Sequence, residues 1–441
     1  MKTHKEPKMK IKLKKVSVEK AMAVKPYKRK KPHSPDILFR TAMRILSGFE
    51  LRKTHFKYDN ENMEKAGKGP YLILMNHSSF IDLKIASAIF YPKPYCIVTT
   101  ADAFVGKAWL MRALGCTPTQ KFVGDFSLIS DIYCALHEKK TSVLMYPEAG
   151  YSFDGCSTTI PQKLGLLVKK LGVPVVTVMT DGAFLYDPLY NYLQTRRVNV
   201  TAKVRCLFSA EEVATLPSSE LDAGIEEAFS FDNFKNQYEN GVEVTEDFRA
   251  DGLHRVLYRC PECETDFSME GKGTQLKCKK CGKTYELGTL GRLTATEGET
   301  RFSHIPAWYH WQRECVRRSL EEGTYRLDTE VEIGILADFR GVYMIGNGRL
   351  VHDGDGFHLT GGEGKLEYFQ SPLASHGLNA DLYWYEKGDV ICIGDKERLY
   401  YCFPREQDGS VTRARLATEE LYKLKRAQKR AAISQKRAEA H

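Results

Sequence analysis

The chain has 441 residues, 42% hydrophobic and 27% charged, which suits two or three globular domains and excludes a fibrous or wholly disordered polymer. It contains no run of about 18 uninterrupted apolar residues, as a spanning helix would need, and its basic N-terminus lacks the apolar stretch of a signal peptide. The net charge of +9 is carried by the ends: residues 1–32 hold 13 Lys/Arg against two acids, and residues 411–441 hold nine against three. Both ends are expected as solvated tails able to meet an anionic surface.

In chain order, Ser34 to Leu51 reads as an amphipathic helix, with Ser34 as N-cap and Pro35 in the first turn. Leu38, Ala42, Ile45, Leu46 and Phe49 share one face, which either packs on a domain or enters a lipid interface. From Tyr71 onward strands and helices alternate. The strands are YLILM, YCIVTT, TSVLMY and VPVVTVM; the helices follow Ser79 and lie near Lys107–Leu114, Leu128–Glu138 and QKLGLLVKKLG. The pattern predicts an α/β fold with a largely parallel central sheet flanked by helices. Residues 245–258 read as a linker. Beyond Phe302 come IPAWYHWQRECVRRSLEE, aromatic and then helical, about seven short strands, and a basic helix from about Thr418 to Arg437. Trp308, Tyr309 and Trp311 suit either a membrane interface or packing. The histidines of this region (His304, His310, His352, His358 and His376) show no catalytic pattern.

The stretch NHSSFID, Asn76 to Asp82, follows an apolar strand directly. Ser79-Phe80-Ile81-Asp82 has the form of a capping box, so Asp82 either supports a helix start or does more. Five positions on a helix turn through about 500°, so His77 and Asp82 share no helical face. They meet only if His77 lies in the preceding turn and folds back. The carboxylate would then fix the imidazole tautomer, and His77 would take a proton from a substrate hydroxyl. YPEAGYS, Tyr146 to Ser152, also follows a strand, and the carboxyl ends of parallel strands face one crevice.

The cysteines divide into two kinds. Cys260/Cys263 and Cys278/Cys281 form two C-x2-C pairs separated by 14 residues. Four thiolates at this spacing suit a closed, structural tetrahedral site, zinc ahead of iron. The other eight are scattered, as expected of buried reduced thiols inside a cell. A ribbon of this kind can bind nucleic acid, but its lysines are offset by Glu262, Glu264, Asp266 and Glu270, so nucleic acid is an unlikely partner.

Asn76-His77-SSFI-Asp82 resembles the first signature block of the glycerolipid acyltransferase family, the HX4D type that acylates glycerol 3-phosphate and 1-acylglycerol 3-phosphate. Three more blocks follow in order: GCTPTQK (Gly115 to Lys121), YPEAGYS, and GVPVVTV (Gly172 to Val178). The resemblance covers roughly residues 60–215. Ala149, Gly150 and Tyr151 stand where the family has glycine, threonine and often arginine, and Lys121 stands where arginine is usual. The sequence also resembles a subset of the family with a Pro-Glu-Ala-x-Tyr-Ser third block and an appended zinc ribbon.

The resemblance implies transfer of a fatty acyl group from acyl-CoA or acyl carrier protein to a phosphorylated glycerol or lysophospholipid. His77 would be the general base and Asp82 its orienting carboxylate. Lys121, Glu148, Gly150 and Ser152 would hold the acceptor, with Lys107 a further basic candidate and oxyanion donors between Pro147 and Gly150. The expected enzyme is cytoplasmic and peripheral at the cytoplasmic face of an anionic membrane. Acylation of a different lipid alcohol or amine, or a non-catalytic lipid-binding scaffold, are the alternatives. The expected organisation is a basic flexible tail (1–33), an acyltransferase domain (34–245), a zinc ribbon (255–290), a β-rich domain of unknown role (300–417) and a basic C-terminal helix or tail (418–441).

Overall fold

A computed structural model describes residues 11–439 of the chain. After a short strand β1 (Leu13–Lys15), seven strands form one sheet: β2 (Lys57–Glu61), β3 (Leu72–Met75), β4 (Tyr95–Thr100), β5 (Cys116–Thr119), β6 (Ser142–Met145), β7 (Val175–Asp181) and β8 (Thr201–Phe208). Their spatial order is β2-β8-β7-β3-β6-β4-β5. Every neighbouring pair is parallel except β7–β8, so the expected largely parallel sheet carries one antiparallel step. All four residues of β3 are buried, as both-face burial in a central parallel strand requires.

The helix beyond the N-terminal segment spans Ile37–Lys53 and starts from Asp36, not from Ser34 as expected. It lies polar side down. Ser47 and Glu50 are buried, and Glu50 pairs with Lys84 on the helix Asp82–Phe90. Leu38, Ile45, Leu46 and Phe49 face outward, 60–74% exposed.

The four-cysteine region folds as β9 (Met269–Lys272), β10 (Gln275–Cys278), β11 (Thr284–Leu287) and β12 (Leu293–Ala295), an antiparallel sheet. The segment 245–258 is not an exposed linker: Ala250, Leu253, Val256 and Leu257 are buried in the core. Its Arg255 is buried as well and pairs with Asp389 at 2.6 Å. Trp308, on the helix Ile305–Glu321, is fully buried and its indole N–H donates to the Arg259 carbonyl at 2.9 Å, so packing claims this ring.

The last part holds β13 (Arg326–Leu336), β14 (Val342–Asp353), β15 (Gly356–Gly361), β16 (Leu366–Gln370), β17 (Asn379–Trp384), β18 (Gly388–Gly394) and β19 (Leu399–Pro404). They pair antiparallel in the order β16-β15-β14-β13-β19-β18-β17. Two expectations about tails fail here. From Leu13 the N-terminal segment is docked, with β1 pairing parallel to β14, Ala21 buried, Tyr27 stacked on Phe339 at 4.3 Å and Arg29 bonded to Asp131 at 2.5 Å. Apolar residues between the lysines supply its anchoring. The closing helix begins at Ser410, not near Thr418, and Val411, Ala414, Leu416, Ala417 and Leu421 bury its first turns. Only its later basic turns are exposed.

Candidate active site

β3 and β6 are neighbouring parallel strands, so their carboxyl ends open side by side. Asn76 ends β3 in the core, where its side-chain oxygen accepts the Thr180 N–H at 2.8 Å and ties this turn to the end of β7. His77 comes next and folds back over the helix that Asp82 begins. Its Nδ1 lies 3.1 Å from Oδ2 of Asp82. That same oxygen accepts the N–H groups of Ser78 at 2.9 Å and Ser79 at 3.2 Å. The capping box is therefore half formed. Asp82 answers the Ser79 N–H, but the Ser79 hydroxyl accepts from Ile81 at 3.3 Å instead of from Asp82.

The imidazole is sandwiched between Tyr146 at 4.0 Å and Tyr151 at 3.8 Å. Burial pushes its pKa well below the usual histidine value, and the Lys121 charge pushes the same way. The ring is thus neutral near pH 7. Burial pushes Asp82 up, while the Ser79 and Ser78 N–H groups pull it back. Oδ2 of Asp82 already accepts two backbone N–H groups and accepts from the ring as well, so Nδ1 carries the proton toward Asp82 and Nε2 keeps its lone pair.

Glu148 sits at the end of β6, 1% exposed. Its two oxygens accept the His77 N–H at 3.0 Å and the Thr158 N–H at 2.8 Å. Burial raises its pKa to about 7. Expected as an acceptor ligand, Glu148 here fixes the backbone of the histidine. Ser152 is also turned inward: its N–H donates to the His77 carbonyl at 3.4 Å and its hydroxyl to the Cys156 carbonyl at 2.6 Å. The turn between them is closed by Ala149 N–H to Tyr146 (3.0 Å) and Gly150 N–H to Glu148 (2.7 Å), so these two expected oxyanion donors are already engaged. Ala149 has φ +54°, a left-handed conformation costing an alanine about 1 kcal/mol and a glycine almost nothing. Gly115 of the second block is required where it stands: a Cβ would come within 2.8 Å of Pro35 and 3.0 Å of the Tyr95 carbonyl.

Lys121, just past β5, reaches back so that its ammonium lies 5.7 Å from the Tyr151 ring centroid. Lys107 precedes the helix Ala108–Ala113. Two further groups border the site and lie far along the chain. Arg415, on the closing helix, donates from Nη1 to the Tyr151 carbonyl at 2.9 Å. Asp381, on β17, acts on Lys121 through its charge. Neither carries a sequence signal, because one lies in what reads as a basic tail and the other in an unremarked strand.

The four sulfurs of Cys260, Cys263, Cys278 and Cys281 lie within 4.8 Å of one another and could hold a metal ion. Cys260–Cys281 and Cys263–Cys278 are 3.7 Å apart. A disulfide needs about 2.05 Å, whereas a tetrahedron with metal–sulfur bonds of about 2.3 Å has edges near 3.8 Å. Backbone N–H groups of Glu262 and Cys263 point at the Cys260 sulfur, and those of Lys280 and Cys281 at Cys278, as around sulfurs that ligate a metal.

Residues 54–181 match the protein-family model described as Acyltransferase, so this part of the chain is an acyltransferase-family domain. The crystal structure of the 1-acyl-sn-glycerophosphate (LPA) acyltransferase PlsC from Thermotoga maritima is a solved structure the chain is similar to, at 17% identity and a TM-score of 0.32. That likeness covers 43% of this chain and 76% of that one. No curated protein matches the chain in sequence.

Proposed function

We propose, from the acyltransferase-family domain at residues 54–181, that the chain moves a fatty acyl group from a thioester to a hydroxyl of 1-acylglycerol 3-phosphate or glycerol 3-phosphate, the first preferred. The observation that carries this reading is the His77–Asp82 pair at 3.1 Å, with a neutral imidazole at the mouth of the sheet. In the reaction Nε2 of His77 takes the proton of the acceptor hydroxyl as its oxygen attacks the thioester carbonyl. The tetrahedral adduct collapses, the carbon–sulfur bond breaks, and the imidazolium returns the proton to the thiolate. Asp82 holds the ring and offsets the passing positive charge, and Glu148 holds the histidine backbone by accepting its N–H. The donor is acyl-CoA or acyl carrier protein.

The surroundings support work at a lipid surface. Among the described residues no helix is long and apolar enough to cross a membrane. The outward row Leu38, Ile45, Leu46 and Phe49 offers an interfacial face instead. Phe80 is 40% exposed and stacks on Tyr151 at 5.6 Å, continuing apolar surface toward His77. The proposed location is the cytoplasmic face of an anionic membrane, where reduced thiols persist. The four-cysteine site fits zinc in a structural role, with all four positions taken by thiolates and none open for catalysis.

A second reading, acylation of a different lipid alcohol or amine, is favoured by Tyr151 standing where the family carries a phosphate-binding arginine. Thiol release from a long-chain acyl-CoA separates the readings, using wild type and His77→Ala with glycerol 3-phosphate, lysophosphatidate, a panel of other lipid alcohols and amines, and no acceptor. Release that depends on a phosphate-bearing acceptor and is lost in the variant supports the first. Release with another alcohol or amine alone supports the second. None with any acceptor, including from acyl carrier protein, leaves a scaffold.

A further inference from the structure

Two cations meet Tyr151, whose ring stacks on His77: Lys121 at the ring and Arg415 at the backbone carbonyl. Lys121 is partly buried, its ammonium 5.7 Å from the Tyr151 ring, and it forms no ion pair among the described residues. Arg415 comes from the closing helix, its side chain 5% exposed. It packs over Phe153 at 4.4 Å and donates to the Tyr151 carbonyl at 2.9 Å. The direction in which a Cβ on Gly150 would point meets only its Nη2, at 3.9 Å. Glu419 touches Nε at 3.4 Å, and that carboxylate is shared with Arg313 at 2.6 Å. The charges of Arg415 and Lys121 act on each other, and that of Arg415 on Glu148. Asp381, whose charge acts on Lys121, has one buried oxygen without a hydrogen-bond partner.

A partly buried ammonium with no paired carboxylate loses hydration that charges acting through space only partly restore. A second cation beside it raises that cost. Asp381 and Asp102 offset Lys121 through space, but neither pairs with it. A dianionic ligand that reached both cations would neutralise them, and a guanidinium is the group that grips phosphate in a two-pronged way.

We propose that Lys121 and Arg415 together hold the phosphate of the acceptor, Arg415 supplying from the closing helix the guanidinium that the Pro-Glu-Ala-Gly-Tyr-Ser block lacks. This rests on the acyl-transfer reading above and adds to it that the C-terminal part of the chain is part of the active site. Arg415 is a positioning residue. It sets which acceptor is held and takes no part in proton transfer.

The test uses the full-length chain in two arms. The first is calorimetric binding of glycerol 3-phosphate to wild type, Arg415→Gln, Arg415→Lys and Lys121→Gln, with inorganic phosphate as competitor. The second is the ratio of kcat/KM for lysophosphatidate to that for monoacylglycerol, which lacks the phosphate. A charge-assisted contact of this kind predicts a ten- to hundredfold fall in affinity, roughly, and in that ratio for Arg415→Gln and Lys121→Gln. Arg415→Lys should recover part of both, and the KM for the acyl thioester should move less than about twofold. Lys121 lies on a different element from Arg415, so misfolding of the closing helix alone cannot produce the result. Equal losses with both acceptors, or unchanged binding in the Gln variants, overturn the proposal. A wild type that binds no phosphate-bearing acceptor overturns it as well. If binding depends on Arg415 but no acyl transfer occurs, the phosphate site stands and the acyltransferase reading falls.

Discussion

Oδ2 of Asp82 accepts three donors at once: the Ser78 N–H at 2.9 Å, the Ser79 N–H at 3.2 Å and His77 Nδ1 at 3.1 Å. One oxygen thus begins a helix and aims an imidazole. Removing the imidazole removes general-base catalysis, so His77→Ala should lower kcat/KM by about 10² to 10⁴. Asp82→Asn should also be severe, because an amide at that point disturbs both the tautomer and the turn. Thiol release from acyl-CoA measures both. A His77→Ala enzyme within about threefold of wild type would remove the histidine from the mechanism.

The acid limb of the pH profile follows from burial. His77 is pushed well below the usual histidine pKa by burial and then by Lys121, and the active form is the neutral ring. Activity is therefore full above the folded-state pKa and falls as pH drops through it, with the limb lying below the ordinary value near 6.5. Lys121→Gln removes one depressing charge and should move the limb of kcat/KM to higher pH. A limb that stays in place, or moves down, would show that Lys121 does not act on the ring.

Much of this site was readable beforehand, for definite reasons. A buried parallel strand leaves an apolar run, and the polar break at Asn76 marks its carboxyl end, so His77 and Asp82 could be located without coordinates. The four cysteines were legible because ligand spacing is local. Glu148 and Ser152 read from their block as acceptor ligands, while the inward turn of their polar groups onto backbone depends on contacts that no local pattern signals. Arg415 and Asp381 were out of reach. Their place depends on contacts between segments more than 250 residues apart, such as the 264-residue separation of Arg415 and Tyr151. The docked start of the closing helix was hidden by its basic second half, which dominates the average composition.

The cysteine cluster should bind about one metal per chain, and elemental analysis of full-length protein should find zinc. Because the ribbon sheet shares its core with Trp308 and Tyr285, whose rings meet at 5.0 Å, loss of the metal should lower the melting temperature of the whole chain. Chelation or Cys278→Ser should show this in a thermal melt. A folded, metal-free protein with intact thiols and an unchanged melt would rule out a structural metal.

The outward face of the helix Ile37–Lys53 makes the last prediction. Leu46 and Phe49 are 65% and 64% exposed, and each would contribute about 1.5–3 kcal/mol if fully buried. Leu46→Glu with Phe49→Glu removes that gain and adds two charges that anionic lipid repels. Sedimentation with vesicles containing anionic lipid should fall by at least about tenfold in the double variant. These side chains are solvent-facing, so the thermal melt should stay near that of wild type, which separates lost docking from lost folding. Binding should also weaken as salt is raised, since Lys53 and the basic residues before Ser34 contribute through charge. Equal sedimentation of wild type and variant would mean that the apolar row does not meet lipid, and that membrane association, where it occurs, is carried by the basic segments alone.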